Sequence, residues 1–432
     1  MTEAFVFRND RLYCEDTPVE EIVAAYGTPL YVYSKRSLTE RFRALDAAFA
    51  PVDHLIAYSV KANGNLAILR LLRLEGAGAD VVSGGELFRA RLAGIPAERI
   101  VFGGVGKTVA ELAAGLDAGV YGFNVESRGE LLALNDLAVT MGVRAPIALR
   151  INPDIETPTP HRYTRTGHAT TKFGIPADQA MPLYREAARL PGIRVRGIDV
   201  HIGSQIVDPA PYQEALLHVL ELVDSLRRDG IELEYLDLGG GFGVGYDDSG
   251  EEPDPADFAA VVLPHVAASR LKLILEPGRF IAGPSGVLLT RVLYVKEMGG
   301  KTFVVGDAGM NDLIRPSHYE GYHHIDPVAR EAGRDLIRAD VVGPVCETGD
   351  FLALDRTLPR PRAGELLAVR TAGAYGFVMA STYNARPRPA EVLVDGDTFR
   401  LVRRRESYDD LVRGEIELLE DAPAPNDGSR NL

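Results

Sequence analysis

Lys61 closes an apolar run in "AYSVKANGN" (57–65), where a lysine is either a solvated charge or an amine held where it can react. Three other sets of residues raise the same question. His201 ends the apolar part of "RGIDVHIG" (196–203), "GGGFG" (239–243) follows "LEYLDL", and "EPGR" (276–279) ends "LKLILE". In the cluster Gly239, Gly240, Gly241 and Gly243 the missing side chains would let several backbone N–H groups converge on an anion such as phosphate. Arg279 could add a charge-assisted contact to the same phosphate or to a substrate carboxylate. Glu276, a carboxylate ending an apolar run, needs a partner, and a protonated ring nitrogen would serve. Taken singly, each has a plain alternative: a turn, a surface arginine, a structural ion pair, a core histidine.

The elements that would position these residues repeat along the chain. Eight short runs rich in Val, Ile and Leu fall at 54–60, 78–85, 99–104, 121–127, 145–153, 196–203, 233–241 and 271–278. They are nearly continuous rather than alternating, as expected of parallel strands covered on both faces. Segments such as "NLAILRLLRLEGAG" (65–78) and "GGELFRARLAGIP" (84–96) carry a helical apolar face and end in Gly or Gly-Pro. Eight such units over about 250 residues match a closed (β/α)8 barrel, with an open doubly wound sheet as the alternative. In a barrel the carboxyl ends of the strands form the active face. Lys61, His201, the glycines and Glu276 all fall at such ends.

The flanks read differently. Thr17 and Glu20 have capping-box spacing, with Pro18 at the first helical position and Gly27 past the end. Beyond about residue 285, period-two runs at 286–298, 301–309, 364–376 and 390–404 predict antiparallel strands, the last a hairpin around Asp395-Gly396. The expected organisation is an α/β barrel over 36–285 and a β-rich sandwich or barrel domain from 1–35 and 286–432, with 421–432 a disordered tail. Residues 152–174 form a long aperiodic stretch, of a length that is usually functional or mobile.

A phosphate cradle, a strand-end lysine and a strand-end acid together point to pyridoxal 5'-phosphate, which offers a phosphate, an aldehyde for the amine and a pyridine nitrogen for the acid. His201 could lie flat against its ring. The motifs "YSVKANGN", "HIGSQ" (201–205), "GGGFG", "EPGR", "CETGD" (346–350) and "AGAYGFVMASTYNARPRPAEVLVDG" (372–396) resemble the pyridoxal-phosphate decarboxylases with an alanine-racemase-like barrel, in order and over nearly the whole chain. The resemblance implies decarboxylation of meso-2,6-diaminopimelate to L-lysine and carbon dioxide, the last step of lysine biosynthesis. By it, Lys61 condenses with the cofactor and His201 stacks on the ring. Ser204, Gly241, Glu276, Pro277, Gly278 and Arg279 bind the cofactor, with Glu276 on the pyridinium nitrogen. Arg279, Arg315 and Tyr319 bind substrate, and Tyr375 touches both cofactor phosphate and substrate. Cys346 is the proton donor and Glu347 reads the far amino group, the pair reaching the active site of the partner subunit. The implied assembly is therefore a homodimer with shared sites. Family members often have Ser where this chain has Thr348, and 154–171 carries two prolines and extra basic residues.

Diaminopimelate presents a second carboxylate and ammonium, which suit the guanidinium fork of Arg315 and the charge of Glu347. Ornithine lacks that carboxylate and would not need the arginine. The alternatives are a decarboxylase of another basic amino acid or a carboxyspermidine-like substrate, an amino-acid racemase on the same barrel, and a non-catalytic pyridoxal-phosphate protein. The formal net charge of -14 argues against nucleic acid or anionic membrane as a main partner. No run of about 18 apolar residues and no secretory signal pattern is found. The two cysteines, Cys14 and Cys346, fit a cytoplasmic protein better than a disulfide framework. No metal site is expected.

Overall fold

A computed structural model of the protein describes residues 3–153, 171–246 and 252–419. The expected tail at 421–432 and the proline-containing stretch at 154–170 lie outside the described residues. The described residues form two compact units, one built from 37–153, 171–245 and 252–283, the other from 3–36, Tyr246 and 284–419.

The first unit holds eight parallel strands: His54–Ser59 (β1), Gly78–Val81 (β2), Ile100–Phe102 (β3), Gly122–Val125 (β4), Ala145–Asn152 (β5), Ile193–Val200 (β6), Tyr235–Asp237 (β7) and Lys272–Leu275 (β8). Each pairs with the next, and β8 pairs with β1 through Leu273 opposite His54, so the sheet closes as a barrel. All eight coincide with the apolar runs, because each strand is buried between the barrel interior and the helices outside it. A short strand, Ile175–Pro176, adds beside β5. Tyr235, with Leu55, Ala57, Val101, Ala148 and Ile274, packs into one buried cluster. Gly122 and Gly197 make room for the Tyr235 ring, since a Cβ at either would collide with it.

Local signals place the helices. Asn65 caps Leu66–Leu74 by accepting from the Ala67 N–H, and Ser83 caps Gly84–Leu92 by accepting from Glu86. At the chain start the expectation fails. Thr17 does not cap the helix Val19–Tyr26; it lies in the strand Thr17–Pro18 and donates its hydroxyl to the Gly396 carbonyl. A tertiary acceptor has outcompeted the local one.

The second unit is a mixed sheet in the order Phe351–Pro359, Leu336–Val342, Lys301–Gly306, Gly286–Met298, Leu30–Ser34, Ala390–Asp395, Thr398–Arg403. Most pairs are antiparallel, but Leu30–Ser34 runs parallel to Ala390–Asp395, and Lys301–Gly306 parallel to Leu336–Val342. Both parallel pairs are joined by long crossovers rather than hairpins, as that geometry requires. The Ala390–Arg403 hairpin turns at Gly396-Asp397, one residue later than expected. Phe5, Leu12, Cys14, Ile22, Leu30, Val32, Val287, Leu289, Val392 and Val394 share its core. Among the described residues no helix is long and apolar enough to cross a membrane.

Candidate active site

Lys61 sits in a single 3₁₀ turn, Val60–Ala62, that leaves β1 at its carboxyl end. The turn is pinned on both sides. Tyr58 donates its hydroxyl to the Asn63 carbonyl, and the Asn63 side chain accepts from the Asn65 N–H. The Lys61 Nζ donates to Asp80 Oδ2 at 2.7 Å, on β2. The same oxygen accepts from the Ser59 hydroxyl at 2.7 Å, and Ser59 Oγ also lies 3.0 Å from the Glu276 carbonyl. Asp80 thus ties the lysine to the ends of β1 and β8.

Around this pair, polar residues from successive strands converge. Asn124 on β4 donates to Asp237 at 3.1 Å and approaches Glu276 Oε1 at 3.4 Å. Asp199 on β6 lies opposite both Arg150 on β5 and Asp237 on β7 in the parallel register. Burial, reinforced by the charges of Asp237, Asp80 and Asp199, pushes the Glu276 carboxyl well above the ordinary range, with Lys61 opposing. Burial likewise raises Asp199, which Asp237 reinforces. Asp237 is pushed up to about 6, mainly by burial and against hydrogen bonds from Gly239, Asn124 and Glu276. His201 is driven well below its ordinary value by burial and by the cations Arg150 and Lys61. It is therefore a neutral ring at pH 7, with Nδ1 accepting from the Gly240 N–H at 3.2 Å.

The raised value of Asp237 has a stability consequence. Its neutral form contributes fully below about pH 4, and that contribution is lost as pH rises through about 6. Denaturant titration of the cofactor-free protein should show stability falling across that window. Asp237→Asn should flatten the slope; an unchanged slope would remove Asp237 as its source.

The glycine cluster differs from expectation. Gly239 donates its N–H to Asp237, Gly240 to His201 and Gly243 to the Ile206 carbonyl, so these three serve the scaffold rather than an anion. Their small size is needed for close approach: a Cβ on Gly240 would collide with the Glu276 carbonyl and one on Gly239 with His201. Gly241, at φ +103°, makes no N–H hydrogen bond within the protein among the described residues, and it is the one glycine of this cluster that the resemblance assigns to the cofactor. Pro277 accepts the Ser59 N–H, and a Cβ on Gly278 would lie 2.7 Å from the Ala62 Cβ, too close to fit. Arg279 is buried and donates to Ser204 Oγ at 3.1 Å. The barrel unit therefore brings together Lys61, His201, Ser204, the glycine loop, Glu276 and Arg279.

This set fits pyridoxal phosphate. Asp80, Glu126, Asp199, Asp237 and Glu276 outnumber the nearby cations Lys61 and Arg150, and burial with the neighbouring acids keeps Glu276 neutral against Lys61, so its ionised form calls for a further cation. A protonated pyridine nitrogen supplies one. Gly241, Ser204 and Arg279 could hold the phosphate, and Lys61 the aldehyde. Reading motifs alone missed Asp80, Asn124, Arg150, Asp199 and Asp237. Their signal was present, since each interrupts an apolar strand and a buried polar group requires a partner.

The remaining predicted residues lie in the second unit. Arg315 and Tyr319 are the two ends of the five-residue helix Arg315–Tyr319. Arg315 is buried, with a guanidinium 4.5 Å from the Tyr246 ring centroid. Cys346 and Glu347 are exposed on a loop anchored by Asp350, which accepts from the Val345 and Met310 N–H groups, both at 2.6 Å. The Cys346 N–H donates to Asn384 at 2.7 Å. Tyr375 holds φ at +55°, a left-handed conformation rare for a bulky residue and typical of functional sites.

Comparisons with known proteins agree with this chemistry. The sequence model of the pyridoxal binding domain of pyridoxal-dependent decarboxylases matches residues 35–283. A diaminopimelate decarboxylase of Aquifex aeolicus is 48% identical over 412 residues, covering 95% of this chain and 97% of its own length. One from Neisseria meningitidis serogroup B is 49% identical over 409 residues, covering 95% and 98%. The crystal structure of diaminopimelate decarboxylase from Helicobacter pylori complexed with L-lysine superposes with a TM-score of 0.89 at 40% identity, covering 93% of this chain and 100% of that one.

Proposed function

The chain belongs to the pyridoxal-dependent decarboxylases, and from that premise we propose that it converts meso-2,6-diaminopimelate to L-lysine and carbon dioxide, the last step of lysine biosynthesis. The observation that carries the reading is identity of 48–49%, over 95% of the chain, to diaminopimelate decarboxylases. Bound pyridoxal phosphate supplies an electron sink for the charge left when the carboxylate departs.

The residues of this chain do the rest. Lys61, oriented by Asp80, presents the amine that would hold the cofactor aldehyde. His201, neutral and fixed by the Gly240 N–H, offers a flat face to the ring. Glu276 would keep the ring nitrogen of a bound cofactor protonated, its carboxylate balancing the positive charge there. Arg279 and Ser204 bind phosphate or carboxylate oxygen, and Tyr375 adds a hydroxyl near both. Cys346 delivers a proton to the substrate carbon that has lost its carboxyl group. Arg315 and Tyr319 hold the second carboxylate, and Glu347 the ammonium beside it.

Cys346 and Glu347 stand exposed on their loop, which suits delivery into the site of a second subunit. The proposed assembly is a homodimer with shared sites, in the cytoplasm, where two free thiols persist. Mixing inactive Lys61→Ala and Cys346→Ala proteins under conditions that exchange subunits should restore activity, because hybrid dimers contain one intact site. No recovery despite sedimentation evidence of exchange would contradict sharing.

The decisive test incubates the protein with pyridoxal phosphate and meso-diaminopimelate. Lysine and carbon dioxide should appear in equal amounts. Carbon dioxide from ornithine instead would indicate a decarboxylase of another basic amino acid. Epimerised substrate without carbon dioxide would indicate a racemase.

A further inference from the structure

We infer that His323 is a positioning residue for Arg315, setting the guanidinium that selects a ligand with a second carboxylate. The inference rests on the role given to Arg315 above. Arg315 starts a helix of only five residues, which fixes its backbone but not its long side chain. A flexible arginine binds a carboxylate bidentately only if its plane is set beforehand. Here Nη1 lies 2.9 Å from His323 Nε2. A guanidinium only donates, so Nε2 is the unprotonated nitrogen. Nδ1 then carries the hydrogen and donates to the Arg370 carbonyl at 2.8 Å. The two bonds define one tautomer and one ring orientation.

His323 is itself immobile. It is fully buried, and its carbonyl accepts from Arg356 Nη1 at 2.8 Å. Arg370 is fixed by Asp326 at 2.9 Å, so the backbone carbonyl behind the ring has a defined place. Tyr246 completes the clamp, edge-on to His323 at 5.3 Å between centroids and under the Arg315 guanidinium. The histidine takes one N–H of Arg315, and the tyrosine ring takes one face, which together define the plane of the fork.

Two inhibitors separate this role from general stability. Lysine keeps a carboxylate beside an ammonium at one end; cadaverine is the same chain without the carboxylate. Inhibition constants for both are measured on the holoenzyme turning over diaminopimelate. His323→Leu removes the acceptor and should weaken lysine about ten- to hundred-fold, the effect of losing a hydrogen bond to a charged group, while cadaverine is unmoved. His323→Gln restores an acceptor and should recover most of the loss. Should the leucine variant not fold, His323→Asn, whose amide is too short to reach Arg315, replaces it. Equal weakening of both inhibitors, or no weakening of lysine where Arg315→Lys does weaken it, overturns the inference. If Arg315→Lys leaves lysine binding unchanged, the reading of Arg315 fails first, and the inference with it.

Discussion

Lys61→Ala is expected to reduce turnover of diaminopimelate by on the order of 10⁴-fold or more, the scale seen when a covalent catalytic group is removed. It should also abolish the visible absorbance that marks a cofactor linked to a lysine. The argument is geometric. Lys61 is held in a turn whose neighbours Tyr58, Asn63 and Asn65 are hydrogen-bonded to one another, and its amine is directed by a carboxylate 2.7 Å away. Lys107, in the loop after β3 at the same end of the barrel, cannot substitute for it, because it is tied to Glu130 and to the Gly104 and Asn124 carbonyls. The variant should still fold, because the side chain is partly exposed and leaves no large cavity. Spectrophotometric titration with pyridoxal phosphate and a carbon dioxide assay check both halves. Normal turnover would refute the assignment of Lys61.

Glu276→Gln ranks second, with an expected loss in kcat of about 10²- to 10³-fold, comparable to removing one preorganised charge-stabilising group. Glutamine keeps the size and can still hydrogen-bond, but it cannot carry the negative charge that balances a protonated ring nitrogen. Burial, reinforced by the crowding acids Asp237, Asp80 and Asp199, makes Glu276 hold its proton despite Lys61. A cationic nitrogen at that position relieves the crowding and lets Glu276 ionise. The substitution should therefore lower kcat far more than cofactor affinity. A loss confined to cofactor affinity would make Glu276 a binding group only.

The proposed catalytic set is legible in the sequence because its members stand out against an apolar background. Lys61, His201 and Glu276 each follow a short Val-, Ile- or Leu-rich run, and such runs in series leave few folds other than a closed barrel. Arg315, Tyr319, Cys346, Glu347 and Tyr375 were legible only through resemblance, since nothing in their spacing marks them. Asp80 and Asp237 show the limit of motif reading. Both interrupt apolar strands, yet the partner each would find depends on the register of neighbouring strands. The glycine cluster shows the opposite error. Its composition suggested a cradle of several N–H donors, whereas those of Gly239, Gly240 and Gly243 are consumed by Asp237, His201 and Ile206.

By itself the amino-acid order determined the eight barrel strands, the glycine stops of the helices and the chemistry at the strand ends, because hydrophobic periodicity and backbone preference act over a few residues. The tertiary structure alone decided which polar groups meet. Parallel pairing sets Asp199 opposite Arg150 and Asp237 and brings Asp80 to Lys61, and a long-range contact turns Thr17 from a helix cap into a partner of Gly396. It also decided that Leu30–Ser34 pairs in parallel with Ala390–Asp395, and Leu336–Val342 with Lys301–Gly306, within a sheet otherwise dominated by antiparallel pairs. Those outcomes depend on contacts between residues far apart in the chain, where burial and shared protons override any local preference.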